Sequence, residues 1–198
     1  NLPKKLKINK FSSDILNSKW DLIVIAVSSI GIDLIGKNLS KIKNKSPILV
    51  LTKGLKLDGR NLISMSSLLR KYNKNLNISI LKGPCLAIEL AKKVKSFTVV
   101  ANKNINTAKK IGKLISTNYY QTEFSRDVNG VEFLSAIKNI YSMIIGAGQW
   151  HNTSSALFRK SIDEMKYLAN YFKGKKETVY GLAAVSYTHL TLPTRLLV

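Results

Sequence analysis

From Asp21 to Val27 the chain reads DLIVIAV, a continuous apolar run rich in branched side chains. Such a run has no polar face to turn toward water. It suits a strand covered on both sides, as in a parallel sheet with helices packed above and below. The residues that follow change period: Ile30, Leu34, Ile35, Leu39 and Ile42 form a helical stripe with lysines elsewhere, which predicts a helix over Ile30 to Ile42. Pro47 to Leu51 (PILVL) then predicts a strand, Arg60 to Tyr72 a helix and Asn77 to Leu81 a strand. Ala87 to Val94 predicts a helix with Pro84 at its first turn, Ser96 to Ala101 (SFTVVA) a strand and Thr107 to Ser116 a helix.

Short apolar strands alternating with amphipathic helices about every 25 to 30 residues mark repeated βα units and a parallel sheet. Near Glu123 that rhythm stops. Asp127 to Gly148 and Thr153 to Phe172 both read as long helices with no strand pattern between them. The expected class is therefore α/β: a parallel-sheet part over residues 1–125, then the start of an all-helical domain over residues 126–184. The last stretch, Val185 to Val198, contains neither Lys nor Asn, unlike everything before it. It reads as a translated adapter, foreign to the natural protein, and His189 within it is discounted as a ligand or base.

The 198 residues carry 32 Lys and Arg against 11 Asp and Glu, a net charge of +21. Taken alone, that excess suggests a nucleic-acid or anionic-membrane partner. But 27 of the 32 are lysines, spread along the chain among many Asn and Ile residues, a bias that A/T-rich codons would produce. No Arg-and-aromatic platform accompanies them, so no nucleic-acid partner is expected. The longest apolar run is about half of the roughly 20 residues needed to span a bilayer, so no membrane span is expected either. A lone cysteine, Cys85, cannot form an internal disulfide. That fits a reducing compartment, with a cytoplasmic location as the default.

Three segments could carry chemistry. Thr52-Lys53-Gly54-Leu55 follows the strand PILVL directly, and ligands of open parallel sheets bind beyond such strand ends. Lys53 could face an anion there, or be a solvated loop lysine. Leu81 to Ala87 (LKGPCLA) is another strand end turning into a helix, where Gly83 allows close approach and free amides could meet phosphate or cofactor oxygens. The plain alternative is a tight turn. Cys85 has no histidine in evidence to activate it; His151 is the other candidate. Lys138 lies within VEFLSAIKNIYSMII, where Phe133, Leu134, Ile137, Ile140, Tyr141 and Ile144 would bury much of a helix. A buried amine there would favour the neutral form, which a general base needs. A lysine snorkelling to the surface is the alternative.

TKGL at 52–55, GPCLAIELA at 83–91, DVNGVEFLSAIKNI at 127–140 and FRKSIDEMKYLANYFKGKKETVYGLA at 158–183 together resemble the NAD(P)-dependent glycerol-3-phosphate dehydrogenase family, in its order and spacing. The resemblance covers about residues 1–183. It implies a Rossmann-type NAD(P)-binding domain followed by a helical substrate domain. It also implies hydride transfer between NAD(P)H and dihydroxyacetone phosphate or sn-glycerol 3-phosphate, for glycerophospholipid synthesis, with NAD or NADP as cofactor and no metal. Homodimerisation of the full-length enzyme would fit the family. On matching positions, Lys138 takes the family's role of proton acceptor and Lys53 touches both substrate and cofactor. Gly83 and Cys85 line the substrate, Ala87 contacts the cofactor through its backbone, and Asn139 orients the substrate.

The chain departs from that pattern in several places. Cys85 replaces the usual Ser or Thr, and Lys82 stands where a small residue is common, a neutral change if it points to solvent. The 198 residues contain no G-x-G-x-x-G run, which the resemblance would place before Asn1. An aspartate and an Arg-Asn pair that the resemblance places after Ala183 are also missing. The chain is thus expected to be a truncated piece, poorly soluble or partly unfolded and inactive by itself, with its NAD or NADP preference unreadable. Ketopantoate reductases share the DLIVIAV-type strand but usually carry a Gln-Asn-Gly-type loop where this chain has TKGL. Another such two-domain reductase and a basic nucleic-acid-binding module are the competing readings.

Overall fold

The structure, a computed structural model, describes residues 7, 9–11, 13–41, 45–148 and 150–184. The stretch 185–198 with His189, read above as an adapter, and Ile42 at the end of the first expected helix lie outside the described residues. After a short helix α1 (Ser13–Asn17), strand β1 (Ile23–Ile25) forms the centre of DLIVIAV. A single helical turn at Ser29–Gly31 leads into α2 (Ile32–Leu39), and β2 (Ile48–Val50) follows. All three residues of β2 are buried, as a strand covered on both faces requires.

The expected helix from Arg60 is corrected here. Its first half belongs to a hairpin, β3 (Leu55–Asp58) and β4 (Asn61–Ser64), with Asp58 paired to Asn61 across a two-residue turn. Gly59 takes φ 61° in that turn, a left-handed conformation that glycine adopts without penalty. Helix α3 (Met65–Tyr72) then starts at Ser64, whose hydroxyl oxygen accepts from the Ser67 amide at 3.3 Å. Strand β5 (Ile78–Lys82) is followed by α4 (Ala87–Ala91), β6 (Ser96–Ala101), α5 (Ile105–Ile115) and β7 (Tyr120–Ser125). The helix expected over Ala87 to Val94, with Pro84 at its first turn, is reduced to Ala87–Ala91, so Pro84 lies outside it.

The sheet runs β1-β2-β5-β6-β7. Neighbours are parallel except β5 and β6, which are antiparallel with Ile80 opposite Ala101. An antiparallel pair needs no crossover, and only the short α4 lies between these two strands. Ile25, Val50, Ile80 and Val99 meet Ile32, Leu39, Met65 and Leu69 in the main core. Leu49 and Val100 pack with Ala108 and Ile111 of α5 on the other face.

Two long helices complete the structure: α6 (Val128–Gly146) and α7 (His151–Tyr171), followed by a helical turn at Lys176–Tyr180. Asp127 fastens their ends. One carboxylate oxygen accepts from the Gly130 amide at 3.0 Å; the other accepts from the Lys175 amide at 2.8 Å and the Thr178 hydroxyl at 2.6 Å. Gly174 approaches so closely that an added Cβ would lie 2.5 Å from the Gly130 Cα. Val128 and Val131 pack into the main core against the sheet, while Leu134, Ile137 and Tyr141 pack with Met165 and Ala169 of α7. No described helix is long and apolar enough to cross a membrane.

Candidate active site

Hydrogen bonds tie the segments after β1, β2 and β5 to one another, and the last of these to the middle of α6. Thr52, the second residue past β2, is buried and donates its hydroxyl proton to the Val27 carbonyl at 2.7 Å, tying the first two strand ends together. Lys53 comes next and is exposed, though its surroundings desolvate the ammonium enough to lower its pKa. Gly54 follows with φ 136°, a backbone conformation that side chains rarely adopt.

Lys82 ends β5, only 6% exposed, and its Nζ donates to the carbonyls of Leu51 at 3.1 Å and Thr52 at 2.6 Å. Its side chain turns inward, so the condition under which this departure would be a neutral change is not met. Gly83 is fixed by crowding: a Cβ there would lie 2.9 Å from the Thr98 Cα and 3.0 Å from the Phe97 carbonyl oxygen. Its own carbonyl accepts from Lys138 Nζ at 3.4 Å.

Lys138 is 4% exposed on α6, so the snorkelling alternative does not hold. Burial, then the charges of Lys53 and Lys82, push its pKa down to about 8. Burial also pushes Lys82 down to about 8, with Lys53 adding to the effect and Glu132 opposing it. Glu132, on the same helix, is buried and accepts from the Ser66 amide at 2.9 Å and from the Ser66 hydroxyl. Arg70 donates to the Ser66 hydroxyl oxygen at 3.3 Å and to the Ile78 carbonyl at 3.4 Å. A carboxylate at the start of α3 is favourably placed against its first amides.

The remaining expected residues are less closely gathered. Cys85 is half-buried; burial first, and then Glu89, raise its thiol pKa, which opposes a nucleophilic role. Ala87 is exposed at the start of α4. Asn139 is exposed, about 100° around α6 from the buried Lys138. His151 is exposed at the start of α7. Sequence reasoning missed Lys82, Glu132 and Ser66 as members of the cluster. For Glu132 a signal existed: a lone acid in the apolar run VEFLSAI, six residues before Lys138. Among the described residues, no group of His, Cys, Asp or Glu could hold a metal ion.

This arrangement supplies an amine that gives up its proton near pH 8, far more readily than an ordinary lysine, beside a cationic loop, suited to moving a proton next to an anionic substrate. Comparison with known proteins points the same way. Residues 1–108 match the family model described as the NAD-dependent glycerol-3-phosphate dehydrogenase N-terminus, and residues 127–195 match the C-terminus of the same family. Glycerol-3-phosphate dehydrogenase (NAD(P)+) of Clostridium botulinum is 32% identical over 170 residues, covering 83% of this chain and 51% of that protein. The chain thus spans about half the length of the curated relatives it matches. The crystal structure of glycerol-3-phosphate dehydrogenase from Coxiella burnetii superposes with a TM-score of 0.79 at 26% identity, covering 98% of this chain and 60% of that one. A probable 2-dehydropantoate 2-reductase of Bacillus subtilis reaches a TM-score of only 0.51 at 15% identity, a likeness of fold alone. With the N-terminal and C-terminal models of one family matched in order along it, the chain belongs to the NAD-dependent glycerol-3-phosphate dehydrogenase family.

Proposed function

We propose that the protein interconverts dihydroxyacetone phosphate and sn-glycerol 3-phosphate with NAD or NADP, and that Lys138 is its proton acceptor. The observation that carries this reading is the buried Lys138 amine, held on the Gly83 carbonyl at the strand ends beside the Lys53 loop. Residues 1–125 would form the cofactor-binding part and residues 126–184 the start of the substrate domain. The group of Lys53, Lys82 and Lys138 suits an anionic nucleotide and a phosphorylated substrate. Lys53 and the Ala87 backbone would hold the cofactor, and Lys53, Gly83, Cys85 and Asn139 the substrate.

When bound, the nicotinamide supplies the hydride donor or acceptor. Lys138 takes the proton of the substrate C2 hydroxyl during oxidation and returns it to the carbonyl oxygen during reduction. The Lys53 ammonium draws charge toward that oxygen as the carbonyl polarises. A base needs the neutral amine, so oxidation should rise with pH through about 8, the value to which Lys138 is lowered, while reduction should fall through the same range.

The test is turnover in the protein at the length of its relatives. Lys138→Met is expected to cut NADH-dependent reduction of dihydroxyacetone phosphate about a thousandfold while leaving the fold intact. Unchanged turnover in that variant would overturn the reading.

A further inference from the structure

Lys82 is a lysine at the end of a central strand, a position where burying a charge is costly unless partners compensate. Its partners are specific: the carbonyls of Leu51 and Thr52, the two residues immediately before Lys53. The residue after it, Gly83, provides the carbonyl that Lys138 Nζ meets. Lys82 therefore stands between the two lysines of the site, bonded to the backbone that carries one and adjacent in the chain to the acceptor of the other.

The charged groups facing this cluster come from three places. Lys53 faces both Lys82 and Lys138 from the loop after β2, and Glu132 faces Lys82 from α6. The Glu132 carboxylate is already engaged by Ser66 at the start of α3, with the charge of Arg70 close by. An apolar side chain of similar length would occupy the same space without desolvating a charge.

We propose that Lys82 is a positioning residue: its ammonium fixes the backbone that presents Lys53, and its charge disfavours a second ammonium at Lys138. The bearing of the second half on the reaction rests on Lys138 being the proton acceptor. Burial and the neighbouring charges, which lower both lysines to about 8, support it. Both amines lose their protons over the same pH range, so the titration of Lys138 should be broadened by that of Lys82.

The experiment is pH-dependent labelling of lysines in the full chain with trace acetic anhydride, read by peptide mass spectrometry, with amide hydrogen exchange alongside. In Lys82→Met the Lys138 midpoint should move upward by roughly one pH unit, and the amides of Leu51 to Gly54 should exchange about tenfold faster. In Lys82→Arg the charge persists throughout, so Lys138 should titrate in a single step at or below its original midpoint. That arm decides the matter by itself if the Met variant does not fold: a Lys138 midpoint at the ordinary lysine value in Lys82→Arg overturns the proposal. So does an unmoved midpoint in a folded Lys82→Met, or unchanged exchange at residues 51–54. Labelling requires neither substrate nor turnover. Normal turnover in Lys138→Met would thus refute the reaction assigned above without touching this coupling, and the converse also holds.

Discussion

The two halves of α6 live in different surroundings. From Val128 to Lys138 the helix is covered nearly all round, by the sheet through Val128 and Val131 and by α7 through Leu134 and Ile137. Beyond Lys138 only Tyr141, Ser142 and Ile145 stay buried, while Ile140, Met143 and Ile144 are exposed. One continuous apolar sequence thus has a core half and a half with an open face. Lys138 sits at the last fully enclosed turn. That placement explains how an amine can be desolvated and still lie near the exposed Lys53.

The sharpest way to break this comparison is to remove equivalent side chains from the two halves. Leu134→Ala should cost about 3 kcal/mol of stability, because Leu134 is fully buried and leaves a cavity. Met143→Ala, at a residue 75% exposed, should stay within about 0.5 kcal/mol. Urea unfolding of both variants checks it, and equal losses would mean the exposed half is not exposed in solution.

Asp127→Ala probes how the enclosed half is held. It removes the acceptor of the Gly130 and Lys175 amides and the Thr178 hydroxyl, so a loss of about 2 kcal/mol is expected by the same measurement. Gly83→Ala should cost about 1 to 2 kcal/mol, because the new Cβ meets backbone rather than a yielding side chain.

The sequence made some of this readable and hid the rest, for physical reasons. SFTVVA was legible residue for residue, since a buried β-branched run has few alternatives to a strand. The β3–β4 hairpin was not read, although Asp58-Gly59 between LKL and NLI is a strong turn signal; its second strand, NLIS, was absorbed into the helix expected from Arg60. The edge strand YQTEFS was missed because it is only half-covered and carries no apolar run. The antiparallel β5–β6 pair was invisible because a helix-like segment between two strands normally implies a parallel crossover. Lys138 stood out as a charge in an apolar run. Lys82 did not, because among 27 lysines nothing local distinguishes the one that turns inward.

The smallest effect concerns pH, and its sign is opposite to that of a buried carboxylate. In the folded chain Lys138 has a pKa near 8, against an ordinary 10.5. Between those values the unfolded chain binds more protons than the folded one, so the Lys138 contribution to stability rises as pH rises from about 8 toward 10.5. Below about 8 both states are protonated and the full cost of burying the ammonium is present. Exposed lysines also lose charge on the alkaline side, which eases self-repulsion in a chain of net charge +21, but Lys138→Met leaves them in place. The difference between that variant and the original chain therefore isolates the buried amine. Lys138→Met should be the more stable of the two by about 1 kcal/mol at neutral pH, with the gap closing as pH approaches 10. A gap that stays constant across that range would show that Lys138 is not desolvated, and the contrast between the two halves of α6 would lose its chemical consequence.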